Sequence, residues 1–149
     1  MNARETLSLA ASPASERYAE GAPLPVTLTF RNTGPKRMTF ELPHKESHGT
    51  PGYIQARVWG EGGALLTENG TLKDGWWTVW VMSSSMMGEI KKEDLVTLKP
   101  GEEYALALDL RRLLAGCDRL PDGLKAGRYR VQFSYGKVLS NEFELGVGN

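Results

Sequence analysis

From Gly127 to Tyr135 the side chains alternate in character without a break. Tyr129, Val131, Phe133 and Tyr135 fall on one side of an extended chain, and Arg128, Arg130, Gln132 and Ser134 on the other. Successive side chains of a β-strand point to opposite faces, so this period of two predicts a strand with one face in a core and one in water. The pattern recurs along the chain. It runs through Thr6–Ala10, then Pro25–Phe30 with Val26, Leu28 and Phe30 inward, then Met38–Leu42. Tyr53–Trp59 follows, with Ile54, Ala56 and Val58 on one face and Tyr53, Gln55, Arg57 and Trp59 on the other. Tyr104, Leu106, Leu108 and Leu110 line a later strand, and Ser140–Val147 supplies the last, with Phe143, Leu145 and Val147 inward. Ala64–Thr67 and Leu95–Leu98 are shorter candidates.

Glycine and proline separate these runs. Asn32-Thr-Gly-Pro35 reads as a tight reversal that makes residues 25–42 a hairpin, and Lys99-Pro-Gly-Glu102 as a second turn. Asp109–Ala115 switches to helical spacing before Gly116, which predicts a short helical turn. The expected fold is all-β: an immunoglobulin-like antiparallel β-sandwich of about seven to eight strands with one short helical turn. A small barrel is the alternative that strand count does not separate. Gly127 two residues before Tyr129, with Val131 two further on, has the form of a tyrosine corner. The Tyr129 hydroxyl is therefore expected to bond a backbone group around Leu124–Ala126. The single cysteine, Cys117, excludes an intrachain disulfide, and Val131 stands where the immunoglobulin bridge would place its second sulfur.

A length of 149 residues fits one domain, 1–149. Lys+Arg and Asp+Glu are both 18, so bulk electrostatics favour neither nucleic acid nor an anionic membrane. No apolar run approaches the roughly 18 residues of a membrane span. The first residues lack the apolar segment of a signal peptide. The expectation is a cytoplasmic protein if the chain is full length, and a periplasmic or secreted one if a signal was trimmed.

Candidate chemistry is sparse. His44 and His48 lie in one polar loop bounded by Pro43 and Pro51, with no nucleophile motif beside them. They are a candidate metal pair with Glu46 between them, although no thiolate or third histidine completes a site. No fingerprint for a cofactor is present, and the chain is expected not to be an enzyme. The strongest binding candidate is the run from Asp74 to Met82. Trp77, Val79 and Val81 share one face, and Trp76, Thr78, Trp80 and Met82 the other, so both faces are heavy. Tryptophan offers a large apolar area with a donor at one end, and Trp76, Trp80 and Met82 are the expected binding residues.

Three segments carry a resemblance: Pro-Val-Thr-Leu-Thr-Phe-Arg-Asn-Thr-Gly at 25–34, Leu-Lys-Pro-Gly-Glu at 98–102 and Ala-Gly-Arg-Tyr-Arg-Val at 126–131. Together they resemble bacterial immunoglobulin-like domains, and the BsuPI-type intracellular proteinase-inhibitor family in particular. Residues 76–94 are longer and richer in Trp and Met than that family's compact middle, so no functional residue is carried over. The residues point to a non-catalytic module that binds another protein through the Trp76/Trp80 face or the end loops. The resemblance implies proteinase inhibition as the alternative, and the histidines or tryptophans a metal- or carbohydrate-binding domain as a third. Oligomeric state is left open.

Overall fold

The computed structural model describes residues 7–41, 54–67, 77–78, 95–114, 123–135 and 138–148. Ten strands are described: β1 (Leu7–Pro13), β2 (Arg17–Tyr18), β3 (Pro25–Asn32), β4 (Met38–Glu41), β5 (Ile54–Trp59), β6 (Trp77–Thr78), β7 (Leu95–Leu98), β8 (Glu103–Asp109), β9 (Gly127–Tyr135) and β10 (Val138–Val147). One helical turn, α1 (Leu110–Leu113), follows β8, with the Asp109 carboxylate accepting from the Arg111 amide at 3.0 Å as its cap.

The strands form a three-stranded sheet ordered β1-β3-β8, a five-stranded sheet ordered β2-β10-β9-β5-β6, and a two-stranded sheet, β4-β7. All pairs are antiparallel except β2 with β10. This is an immunoglobulin-like sandwich. The orders β1-β3-β8 and β10-β9-β5 reproduce the A-B-E and G-F-C arrangement of the two immunoglobulin sheets, and β6 adds a strand beside C.

Alternation decides the core. Leu7, Leu9 and Ala11 of β1, Val26, Leu28 and Phe30 of β3, and Ile54, Ala56 and Val58 of β5 are buried together with Val131, Phe133, Leu145 and Val147. Phe30 of the three-stranded sheet, Phe40 of the two-stranded sheet and Tyr135 of the five-stranded sheet meet as a ring cluster. Their centroids lie 5.1, 5.4 and 5.8 Å apart, two of the three contacts edge-on. Edge-to-face packing sets the positive ring edge on the negative face of its neighbour.

The expected hairpin over residues 25–42 does not form. β3 is paired on both sides, by β1 and β8, and β4 pairs with β7 in another sheet. Asn32 supplies the reason. It is fully buried; its Nδ2 donates to the carbonyls of Lys36 and Leu98 at 2.8 and 3.0 Å, and its Oδ1 accepts from the Gly34 amide at 2.9 Å. The Gly101 amide also donates to the Asn32 carbonyl, at 2.8 Å, from a turn in which Gly101 adopts φ 83°. The chain leaving β3 is thereby tied to the β7–β8 turn and cannot fold back along β3.

The exposed edge of β1 is closed in an equally specific way. A register shift in β10 between Leu139 and Glu142 turns the Asn141 side chain toward Ala11. Asn141 Oδ1 accepts from the Ala11 amide at 2.8 Å, and its Nδ2 donates to the Ala11 carbonyl at 3.0 Å. One side chain thus mimics a strand partner and links the two large sheets.

Phe30→Ala removes the member of the ring cluster that sits in the middle of the three-stranded sheet, and should cost about 3–5 kcal/mol in urea unfolding. A Phe30→Leu, Phe40→Leu double-mutant cycle should return a coupling of about 0.5–1.5 kcal/mol. Strict additivity would contradict the cluster.

Candidate functional site

Trp76, Trp80 and Met82, and the histidines His44 and His48, lie outside the described residues. What is described of the tryptophan-rich run is β6, the end strand of the five-stranded sheet, in register with β5 as Gln55↔Thr78 and Ala56↔Trp77. Among the described residues no group of three or more His, Cys, Asp or Glu is placed to hold a metal ion, and no helix is long and apolar enough to cross a membrane.

The outer face of the same sheet carries a second concentration of functional groups. Because Ile54, Ala56 and Val58 turn inward, Arg57 and Trp59 turn outward, and pairing with β9 and β10 fixes their neighbours. Trp59 lies opposite Arg130, which lies opposite Glu144; Arg57 lies opposite Gln132, which lies opposite Glu142. The Arg130 guanidinium is 4.5 Å from the Trp59 ring centroid and that of Arg57 is 5.2 Å from it. Both are within the range where the ring quadrupole attracts a cation. Arg130 also reaches Glu142 at 3.2 Å, and Arg128 reaches Glu144 at 3.7 Å, with side chains about half and two-thirds exposed.

Two outward positions of β9 depart from expectation: Gln132 and Ser134 are buried rather than solvated. β9 sits in the middle of the sheet, where long neighbours cover short ones. Gln132 Oε1 accepts from Arg57 Nη2 at 2.8 Å, and its Nε2 donates to the Ser140 carbonyl at 3.0 Å. A buried amide satisfied at both ends carries little desolvation penalty.

At one end of the face a hollow of about 170 Å³ opens beside Trp59, bounded by Glu61, Arg128, Tyr129, Arg130 and Glu144. It adjoins a second hollow of about 280 Å³ that shares Arg128 and Glu144 and reaches Glu16 and, on β2, Arg17. The Tyr129 hydroxyl donates to the Lys125 carbonyl at 2.6 Å, which is the expected tyrosine corner. Gly127, at φ 153°, lets the chain enter β9 beside that ring. Burial first, and then the Glu61 carboxylate, raise the Tyr129 phenol above its ordinary 10.0.

The chemistry available on this face is that of guanidinium, carboxylate and indole groups held by a β-ladder, which suits recognition by charge and ring contact. Sequence reading placed Arg57 and Trp59 outward without singling them out. The signal was Arg-x-Trp on one strand and Arg-x-Arg on another, which acquires meaning only once the two strands are known to be neighbours.

No family model matches the chain, and no curated protein matches it. Among solved structures it is similar to a β-glucosidase from Listeria innocua, at 17% identity and TM-score 0.45, over 96% of this chain and 16% of that one. It is also similar to the CARDB domain of a Pyrococcus furiosus protein solved in complex with di-metal ions, at 12% identity and TM-score 0.42, over 95% and 92% of the two chains. A third is the β-glucosidase EmGH1 from Erythrobacter marinus, at 12% identity and TM-score 0.45, over 95% and 15%. The chain thus spans about one sixth of the length of the β-glucosidases it aligns with.

Tyr129→Phe should destabilise the protein by about 1 kcal/mol, the ordinary worth of one hydrogen bond. It should also flatten the alkaline limb of the stability profile. A phenol whose value is raised on folding stabilises fully below its unfolded value near 10.0, and that contribution is lost as pH rises through the higher folded value. Urea midpoints measured from neutral pH to above this value check both; an unchanged alkaline limb would contradict the assignment.

Proposed function

We propose that this chain is a non-catalytic binding module whose partner is another protein, engaged through the outer face of the five-stranded sheet. The observation that carries this reading is the Arg57–Trp59–Arg130 cluster, with both guanidiniums against one indole on a rigid ladder. Tryptophan and arginine dominate binding hot spots because they give large contact area and directed hydrogen bonds. Here their geometry is set before any partner arrives, which lowers the entropy lost on binding. Leu139 supports the same reading. It is 51% exposed, one of two large apolar side chains so exposed among the described residues, and it pairs with Ser134 on this face. Trp76, Trp80 and Met82, which flank β6 in the sequence, are proposed as further anchors of the same surface.

A photo-crosslinking residue at Leu139, compared with one at Ala105 on β8, tests the reading in an extract of the source cell. The expected outcome is a protein adduct from position 139, absent at 105 and diminished by Trp59→Ala or Arg130→Ala. Identical adducts from both positions, or adducts indifferent to Trp59→Ala, would overturn it.

A further inference from the structure

The charges on this face are arranged as their own complement. Across the sheet the strands run β2, β10, β9, β5. Glu142 and Glu144 make an acidic stripe on β10, and Arg128 and Arg130 a basic stripe beside it on β9. Further out, Arg17 on β2 is level with Gly146 and Arg128, while Glu61 follows β5 on the opposite flank, its Oε1 facing the Arg128 amide at 3.4 Å. A two-fold axis lying in the plane of the face, along the strands and between β9 and β10, exchanges left for right. It sets the Arg130 of each copy over the Glu144 of the other. It also brings Arg17 over the Glu61 of the second copy and sets no like charges of these rows opposite one another.

Resting on the reading of this face as the interaction surface, we infer that the partner it fits is a second copy of this chain, in an isologous face-to-face dimer. A two-fold interface must be self-complementary, because the same patch serves both sides. The pairs within each copy need not break. A guanidinium has five donors and a carboxylate two oxygens, so Arg130–Glu142 and Arg128–Glu144 can extend into a four-membered network across the copies. The formal net charge of zero adds no long-range repulsion between copies. The area suffices for a modest interface. At about 3.3 Å per residue and about 4.8 Å between strands, the two, ten, nine and six residues of β2, β10, β9 and β5 give a plan area of roughly 400 Å² per copy. That is the low end of specific association, so the dimer is reversible and salt-sensitive.

Sedimentation velocity on the full chain, over a concentration series, tests this. The wild type should pass from monomer to dimer with concentration and return to monomer in about 1 M salt, where the screening length is about 3 Å. An acidic variant, Arg128→Glu with Arg130→Glu, should be monomeric alone, because its acidic β9 would face the acidic β10 of the second copy. A basic variant, Glu142→Arg with Glu144→Arg, should be monomeric alone for the mirrored reason. Mixed in equal amounts the two should form a heterodimer, which also shows that both are folded. A wild type monomeric at every concentration, variants that dimerise alone, or a mixture that stays monomeric would each overturn the inference. If the wild type is monomeric while the crosslinks at Leu139 still depend on Trp59, the second copy is excluded and the face remains the binding surface. If the crosslinks are indifferent to Trp59, the reading of the face itself falls.

Discussion

The ring cluster of Phe30, Phe40 and Tyr135 joins the three sheets at one point of the core. Each ring belongs to a different sheet, so the cluster is where the three sheets are registered against one another. In antibody domains a disulfide between the two sheets performs this service. Here Val131 is fully buried at the matching place in β9, and the same constraint comes from apolar packing. The two asparagines complete it. Asn32 ties the exit of β3 to the β7–β8 turn, and Asn141 stitches β10 to the edge of β1. Neither adds much apolar burial; both decide which strands can be neighbours.

That division of labour explains what could be read from the sequence. The inward residues of β3, β5, β9 and β10 follow from period two alone, because the pleat of a strand is a local property. The Tyr129 hydroxyl bond was legible for the same reason: donor and acceptor are four residues apart. Strand pairing was not. The segment 25–42 looks like a hairpin on any local criterion, and it fails because both edges of β3 are taken by strands remote in sequence. The parallel pairing of β2 with the last strand, and the register shift that aims Asn141, are likewise set by distant partners. Gln132 and Ser134 were read as solvent-facing because alternation reports which face a residue is on. Whether longer neighbours cover that face is decided by β5 and β10.

The candidate site divides in the same way. Trp76, Trp80, Met82, His44 and His48 stand out in the sequence through residue type alone, and they lie outside the described residues. Trp59 and Arg130 are unremarkable in the sequence and become a site only when β5 pairs with β9 and stacks one on the other. The architecture also separates duties between the two faces of the five-stranded sheet. Its inner face, through Val58, Val131, Phe133 and Leu145, belongs to the core. Its outer face carries charges whose pairs are largely exposed, and such pairs contribute little to stability. Charges that stability does not need are free to be used for recognition.

Equilibrium unfolding measures whether the two faces are separated in this way. The charge-neutral variant Arg128→Gln, Arg130→Gln, Glu142→Gln, Glu144→Gln should be unfolded in urea beside the wild type, at the lowest concentration that tryptophan fluorescence allows, so that association does not contribute. The two free energies should agree within about 1 kcal/mol, with equal slopes. A loss of about 3 kcal/mol or more would mean that the outer face holds the sandwich together, and the assignment of that face to recognition would be contradicted.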